Sequence, residues 1–235
     1  MPGRLAALAA TLVVAGCSGP AVRDATPAAS ASAPTTSAPA PSATDRLEAL
    51  YRARIDSSRT RFAEADVAFM TGMIGHHAQA LVMAAMAPTH GANPEVRRLA
   101  ARIDNAQRDE IATMQRWLRD RGQPAPEVHV MGTTLMVHGA DGHADHAGMP
   151  GMLTDDQLRA LDEARGATFD RLFLTYMIQH HGGAVVMVDT LFATDGAAQD
   201  EEAFKLATDV QVDQRTEIAR MQRMLDVLPV ADPQP

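Results

Sequence analysis

The sequence predicts an all-α protein, a four-helix bundle assembled from two duplicated helical hairpins. Three observations carry that prediction. The stretch MIGHHAQALVM at residues 73–83 returns as MIQHHGGAVVM at residues 177–187. A second pair follows, QRDEIATMQRWL at 107–118 and QRTEIARMQRML at 214–225, so the order along the chain is A–B, linker, A′–B′. Apolar residues recur at helical spacing, whereas β signal is sparse: β-branched residues are scattered, and the aromatic residues are six Phe, two Tyr and one Trp.

The chain opens MPGRLAALAATLVVAGCSGP, with Arg4 before an apolar run from Leu5 to Ala15. That run is too short to cross a bilayer and reads as a secretory signal over residues 1–16. Val14-Ala15-Gly16-Cys17 resembles the bacterial lipobox, which implies cleavage before Cys17 and lipidation of its thiol. Cys17 is the only cysteine, so no intrachain disulfide can form. Residues 18–44 are almost entirely Ala, Pro, Ser and Thr, a composition that cannot bury enough surface to offset its ordering entropy. The expected organisation is a signal over 1–16, a lipidated tether over 17–44, and a bundle domain over 45–228 with a Met/His-rich loop at 129–152. The expected location is extracytoplasmic and membrane-anchored, at the cell surface or in a periplasm. The formal charge of −8 argues against a nucleic-acid partner.

Aligning residue 66 with 170 matches ten of eighteen positions, among them Asp66/Asp170, Met73/Met177, His76/His180, His77/His181 and Met83/Met187. The B copies align with a shift of 107 instead of 104. Asn93-Pro94 reads as an N-cap followed by proline at the first helical position, opening helix B to about Arg121, before Gly122 and Pro124. Val96, Leu99, Ile103, Ile111, Met114 and Leu118 make its apolar stripe. Thr154-Asp155-Asp156-Gln157 has the capping-box pattern and starts the second half. Neither hairpin can bury its stripe alone, so the two pair.

Polar residues interrupt these stripes. At 100° per residue, Asp66, Met70, Met73 and His77 share one face, and Phe69, His76 and Met83 the adjoining strip. One histidine of each doublet therefore faces the bundle axis and its neighbour a helix–helix seam. Gln107 and Glu110 sit between Ile103 and Met114; Gln214 lies on the stripe of B′ and Glu217 near its edge. A carboxylate there is costly unless it is paired or bound to something. Methionine at helical spacing is ordinarily core filler, which suits Met114 and Met221. Four histidines, two carboxylates and several methionines converging by pseudo-symmetry point instead to a ligand set. Residues 131–152, MGTTLMVHGADGHADHAGMPGM, add His138, His143 and His146 with Met131, Met136, Met149 and Met152. Imidazole and thioether together suit a soft or borderline metal, above all copper.

FMTGMIGHHAQALVMA, AQRDEIATMQRWL, GMPGMLTDDQL and FDRLFLTYMIQHHGGAVVMV together resemble the domain of unknown function 305 family over residues 60–226. The resemblance implies a ferritin-like bundle, often exported, with copper binding and copper tolerance in some members. It implies Met73, His76, His77 and Met83, with Met177, His180, His181 and Met187, as ligands. The chain departs from the family after each doublet, with Ala78-Gln79 in one copy and Gly182-Gly183 in the other. Two glycines inside a helix cost about 1 kcal/mol each relative to alanine, so a local loosening or a close helix contact is expected there.

The function expected on these grounds is a tethered protein that binds Cu(I) and/or Cu(II) for buffering, sequestration or transfer, with Glu110 and Glu217 among the candidate ligands. Its partners would be the metal ion, the membrane through the lipid anchor, and a copper transporter or chaperone. One alternative is a ferritin-like metal oxidase. That chemistry calls for four carboxylates with Glu-x-x-His pairs, which helices A and A′ lack. The other is a structural bundle without metal. No nucleophile–base pair, phosphate loop or dinucleotide fingerprint points to another enzyme class.

Overall fold

The structure, a computed structural model, describes residues 41–59, 61–131, 134–139 and 148–228. The signal segment, Cys17, the tether to residue 40, His143 and His146 lie outside the described residues. In chain order the elements are α1 (Ala43–Arg59), α2 (Glu64–Met86), α3 (Pro94–Asp120), β1 (Glu127–Met131), β2 (Thr134–His138), α4 (Asp155–Glu163), α5 (Gly166–Ala193) and α6 (Glu201–Val227). Repeats A and B are α2 and α3; A′ and B′ are α5 and α6. Each forms a hairpin, and the hairpins meet chiefly through α2 against α5. Among the described residues no helix is long and apolar enough to cross a membrane.

The helix boundaries follow from local chemistry. Asn93 caps α3 by accepting from Glu95 N at 2.8 Å, with Pro94 at the first position. Gly122 leaves the helix with φ 67°, and Gln123 N bonds back to Leu118 O. The Thr154–Gln157 box opens α4, a short helix laid before α5, so the second repeat helix begins later, at Gly166. The connections 87–93 and 194–200 are equal in length, and the three-residue change of register is absorbed at the C-terminal end of α5. Asp200 caps α6 and also accepts from Trp117 Nε1 at 2.9 Å and from the buried Arg121 guanidinium, which fixes the end of α3 to the start of α6.

The matched aspartates tie one repeat to the other. Asp66 on α2 accepts from Ala198 N in the α5–α6 connection at 2.7 Å, and Asp170 on α5 accepts from Asn93 N in the α2–α3 connection at 3.0 Å. Burial pushes the Asp170 carboxyl upward, against the Asn93 N–H bond that favours its charge.

Residues 127–131 and 134–138, partly within the segment expected to be a loop, pair as the two antiparallel strands of a hairpin, Glu127 with His138 and His129 with Met136. The sequence disguised it because two five-residue strands give only a brief alternation, carried outward mostly by His and Met. Val128, Val130, Leu135 and Val137 are half-buried, and the hairpin lies on α2.

The core divides in two. One apolar cluster holds Met83, Leu99, Ile103, Phe169, Phe173, Met177 and Met221. The other holds Phe69, Met70, Met73, Met114, Leu118, Val188 and Val210. On α3, α5 and α6 the changeover falls at the polar positions Gln107–Glu110, His180–His181 and Gln214–Glu217, and on α2 it follows His76–His77, with Leu81 alone reaching back to the other cluster. A polar layer therefore crosses the bundle at mid-height.

Candidate metal centre

Consecutive residues on a helix point about 100° apart, so each doublet splits between two interfaces. His76 and His180 meet across the α2–α5 contact with ring centroids 3.9 Å apart. His77 and His181 turn toward the partner helix of their own hairpin, where Glu110 Oε2 lies 2.6 Å from His77 Nε2 and Glu217 Oε2 lies 2.7 Å from His181 Nε2. All four rings are fully buried.

The partners fix the tautomers. His180 Nε2 donates to His76 O at 2.9 Å, and His76 Nε2 donates to Pro150 O at 3.0 Å. Carbonyl and carboxylate oxygens only accept, so in every ring Nε2 carries a proton, and a neutral ring has its lone pair on Nδ1. All four Nδ1 atoms are buried without a hydrogen-bond partner. A buried polar atom left unpaired costs roughly 1–3 kcal/mol. His90 shows how this protein treats a structural histidine: it is also buried, yet Nδ1 meets Thr89 Oγ1 and Nε2 meets Asp162. An imidazole whose far nitrogen donates to a carboxylate or carbonyl while the near one is free is arranged as metal ligands are. Burial, then the neighbouring His77, lowers the pKa of His76 to about 3, and burial holds that of His180 well below its ordinary value.

Glu110 and Glu217 also line a cleft of about 270 Å³ between α3 and α6, with Gln107, Asp213 and Gln214. Burial and the two glutamates raise the Asp213 pKa. Both amide atoms of Gln107 and the Oε1 of Gln214 are buried without partners.

The methionines fall in three places. Met73 lies in one apolar cluster and Met83 and Met177 in the other, on either side of the histidine layer. Met187 and Met149 approach Gly72 together; a Cβ there would lie 3.4 Å from Met149 Sδ and 3.5 Å from Met187 Cε. Met152 is half-buried in residues 148–153, which cross the histidine layer as a strap. His138 is exposed on the hairpin. Among the described residues no three His, Cys, Asp or Glu side chains already surround one point.

Sequence reasoning missed the strap. Gln79 holds it through Leu153, donating to its carbonyl at 3.1 Å and accepting from its N–H at 2.8 Å. Gly183 lets it close: a Cβ there would stand 1.9 Å from Pro150 O. The available signal was the GMPGM run together with the break in the repeat at residues 79 and 183.

Comparison with known proteins places these features. The family model described as a domain of unknown function, DUF305, matches residues 66–225. A DUF305 fragment from Deinococcus radiodurans is 31% identical, with 70% of this chain and 97% of that one covered and a TM-score of 0.57. A DUF305 protein from Streptomyces coelicolor, described as secreted, is 27% identical, with 69% and 92% covered and a TM-score of 0.57. CopM in its Cu(I)-bound form is 29% identical, with 68% and 95% covered and a TM-score of 0.51; Cu(II)-bound and Ag-bound forms of CopM also match. No curated protein matches this chain. The doubled His-His motif, the all-α bundle it crosses and the extent of the family match agree: the chain belongs to the DUF305 family.

Proposed function

We propose that this protein binds copper as Cu(I) in its histidine layer and, held outside the cytoplasm by a lipid on Cys17, buffers, sequesters or hands over the ion. One observation carries the reading: four buried imidazoles each present a partnerless Nδ1 while their Nε2 protons are committed elsewhere. Cu(I) accepts few ligands and favours imidazole and thioether. His76, His77, His180 and His181 supply nitrogen, and Met73, Met83, Met177 and Met187 are four of the six thioethers carried by the same two helices. Glu110 and Glu217 orient His77 and His181, and with imidazole they form the harder set that Cu(II) would use. CopM, a solved relative in fold and sequence, is known in Cu(I)-bound, Cu(II)-bound and Ag-bound forms, which supports the choice of metal.

The protein's own residues hold and release the ion; no bond of a substrate is broken. Oxidase chemistry would draw on carboxylates, yet Glu110 and Glu217 each serve one imidazole, and Asp66 and Asp170 serve connecting loops. His138, His143, His146, Met149 and Met152 act as the capturing segment, and the tether over 17–44 keeps the ion near a transporter or chaperone in the membrane.

The test is a Cu(I) titration of the full chain against a chelator of known affinity. The wild type is compared with a variant carrying His76→Ala, His77→Ala, His180→Ala and His181→Ala, with circular dichroism confirming helix in both. Fewer Cu(I) equivalents bound by the variant than by the wild type support the reading. Equal binding by both returns the doublets to packing.

A further inference from the structure

We propose that the exposed face of the β1–β2 hairpin is a second, separate Cu(I) site, formed by His129 and His138 with the thioethers of Met136 and Met131. It does not rest on the histidine layer.

The ladder sorts the side chains of the hairpin onto two faces. Side chains alternate between the faces of a strand, and the register pairs Glu127 with His138, His129 with Met136 and Met131 with Thr134. Glu127, His129, Met131, Met136 and His138 are all exposed, whereas Val128, Val130, Leu135 and Val137 are half-buried on the other side. Packing against α2 thus accounts for the valines and Leu135 and for none of the outward set. Met131 is 67% exposed and Met136 37% exposed. A methionine in water gains nothing from its thioether unless something soft binds it.

The geometry suits one small ion. Residues directly opposite on an antiparallel ladder have Cβ atoms about 4.5–5.5 Å apart, and long side chains also reach their diagonal neighbours. His129 and Met136 are such an opposite pair, and His138 is diagonal to His129, with ring centroids 5.7 Å apart. Two imidazoles and a thioether therefore stand on adjoining positions of one face, with Met131 next along β1. Their exposure leaves the rotamers free to turn onto an ion. Glu127 lies 3.9 Å from His129 Nε2 and supplies negative charge beside the pair.

The ligand types choose the ion. No three His, Cys, Asp or Glu groups among the described residues already converge, so a site on this face needs its sulfurs. A site that needs thioether is selective for a soft cation over zinc or other harder divalent ions.

The experiment uses the full chain in four forms: wild type; a hairpin variant with His129→Ala, Met136→Leu and His138→Ala; the four-histidine layer variant; and the two combined. Each is titrated with Cu(I) against a competing chelator. The hairpin variant is expected to bind one equivalent fewer than wild type and to melt at the same temperature without metal. The layer variant should keep the hairpin equivalent, and the combined variant should lose it. In protein labelled at the methionine methyls, Ag(I) should shift the Met131 and Met136 resonances. An unchanged stoichiometry in the hairpin variant, unmoved Met131 and Met136 methyls, or zinc bound as tightly as Cu(I) would overturn the proposal. Full binding by the layer variant would instead overturn the histidine-layer reading, so the two failures are distinguishable.

Discussion

Gln79 and Gly183 stand at the same position of the two repeats, 104 residues apart, and one segment of backbone shapes both. Gln79 grips Leu153 with both ends of its amide, while Gly183 makes room for Pro150. Pro150 O then accepts from His76 Nε2 where His180 has the carbonyl of His76. The strap breaks the pseudo-symmetry of the histidine layer at the point where the sequence repeat breaks.

Adjacent glycines should therefore respond oppositely to the same substitution. Gly182→Ala meets nothing within 4 Å, and helix propensity alone should stabilise the protein by about 1 kcal/mol. Gly183→Ala drives a methyl into the Pro150 carbonyl and should cost about 1–3 kcal/mol. Urea unfolding of the two variants decides this; equal effects would mean that the strap does not close on α5.

The glutamates beside the doublets should matter through orientation. Glu110→Ala removes the acceptor from His77 Nε2, and copper affinity should fall about 10–100-fold, the usual loss for such supporting groups. Glu110→Gln keeps an accepting oxygen and should lose less. The same order is expected for Glu217 and His181. Competition titration measures both, and an order reversed at either site would remove the orienting role.

Asp66→Ala and Asp170→Ala should destabilise without changing copper stoichiometry. Each leaves a connection N–H unpaired, at Ala198 or at Asn93, which costs about 1–3 kcal/mol where the group is buried. Chemical denaturation reads the loss and a metal titration the stoichiometry; a lost equivalent of copper would make these aspartates ligands.

The metal-free protein should weaken in acid. Above about pH 6.5 the ring of His76 is neutral whether the chain is folded or not. Between there and about pH 3 only the unfolded chain takes the proton, because burial lowers the folded pKa to about 3. Burial acts in the same direction on His180. Unfolding free energy should therefore fall as the pH is lowered through that window, and replacing both rings with Gln should flatten the slope. A slope unchanged by the double substitution would assign the acid sensitivity to other groups.

The sequence by itself determined the four repeat helices, the caps at Asn93 and Thr154 and the duplication, because these rest on local chemistry: a proline after Asn93, a glycine at 122, apolar residues every three or four positions. It also marked the polar positions, since His, Gln and Glu interrupt otherwise apolar stripes. Only the tertiary structure decided what each polar atom meets. Whether Glu110 neutralises Arg108 or accepts from His77 depends on how α2 lies against α3; Arg108 in fact pairs with Asp104. What the strap meets and which face the hairpin shows were tertiary matters for the same reason. A carbonyl at Pro150 becomes a partner for His76 only after folding brings together residues 74 positions apart in the chain, and a five-residue strand becomes a face only when α2 covers its other side.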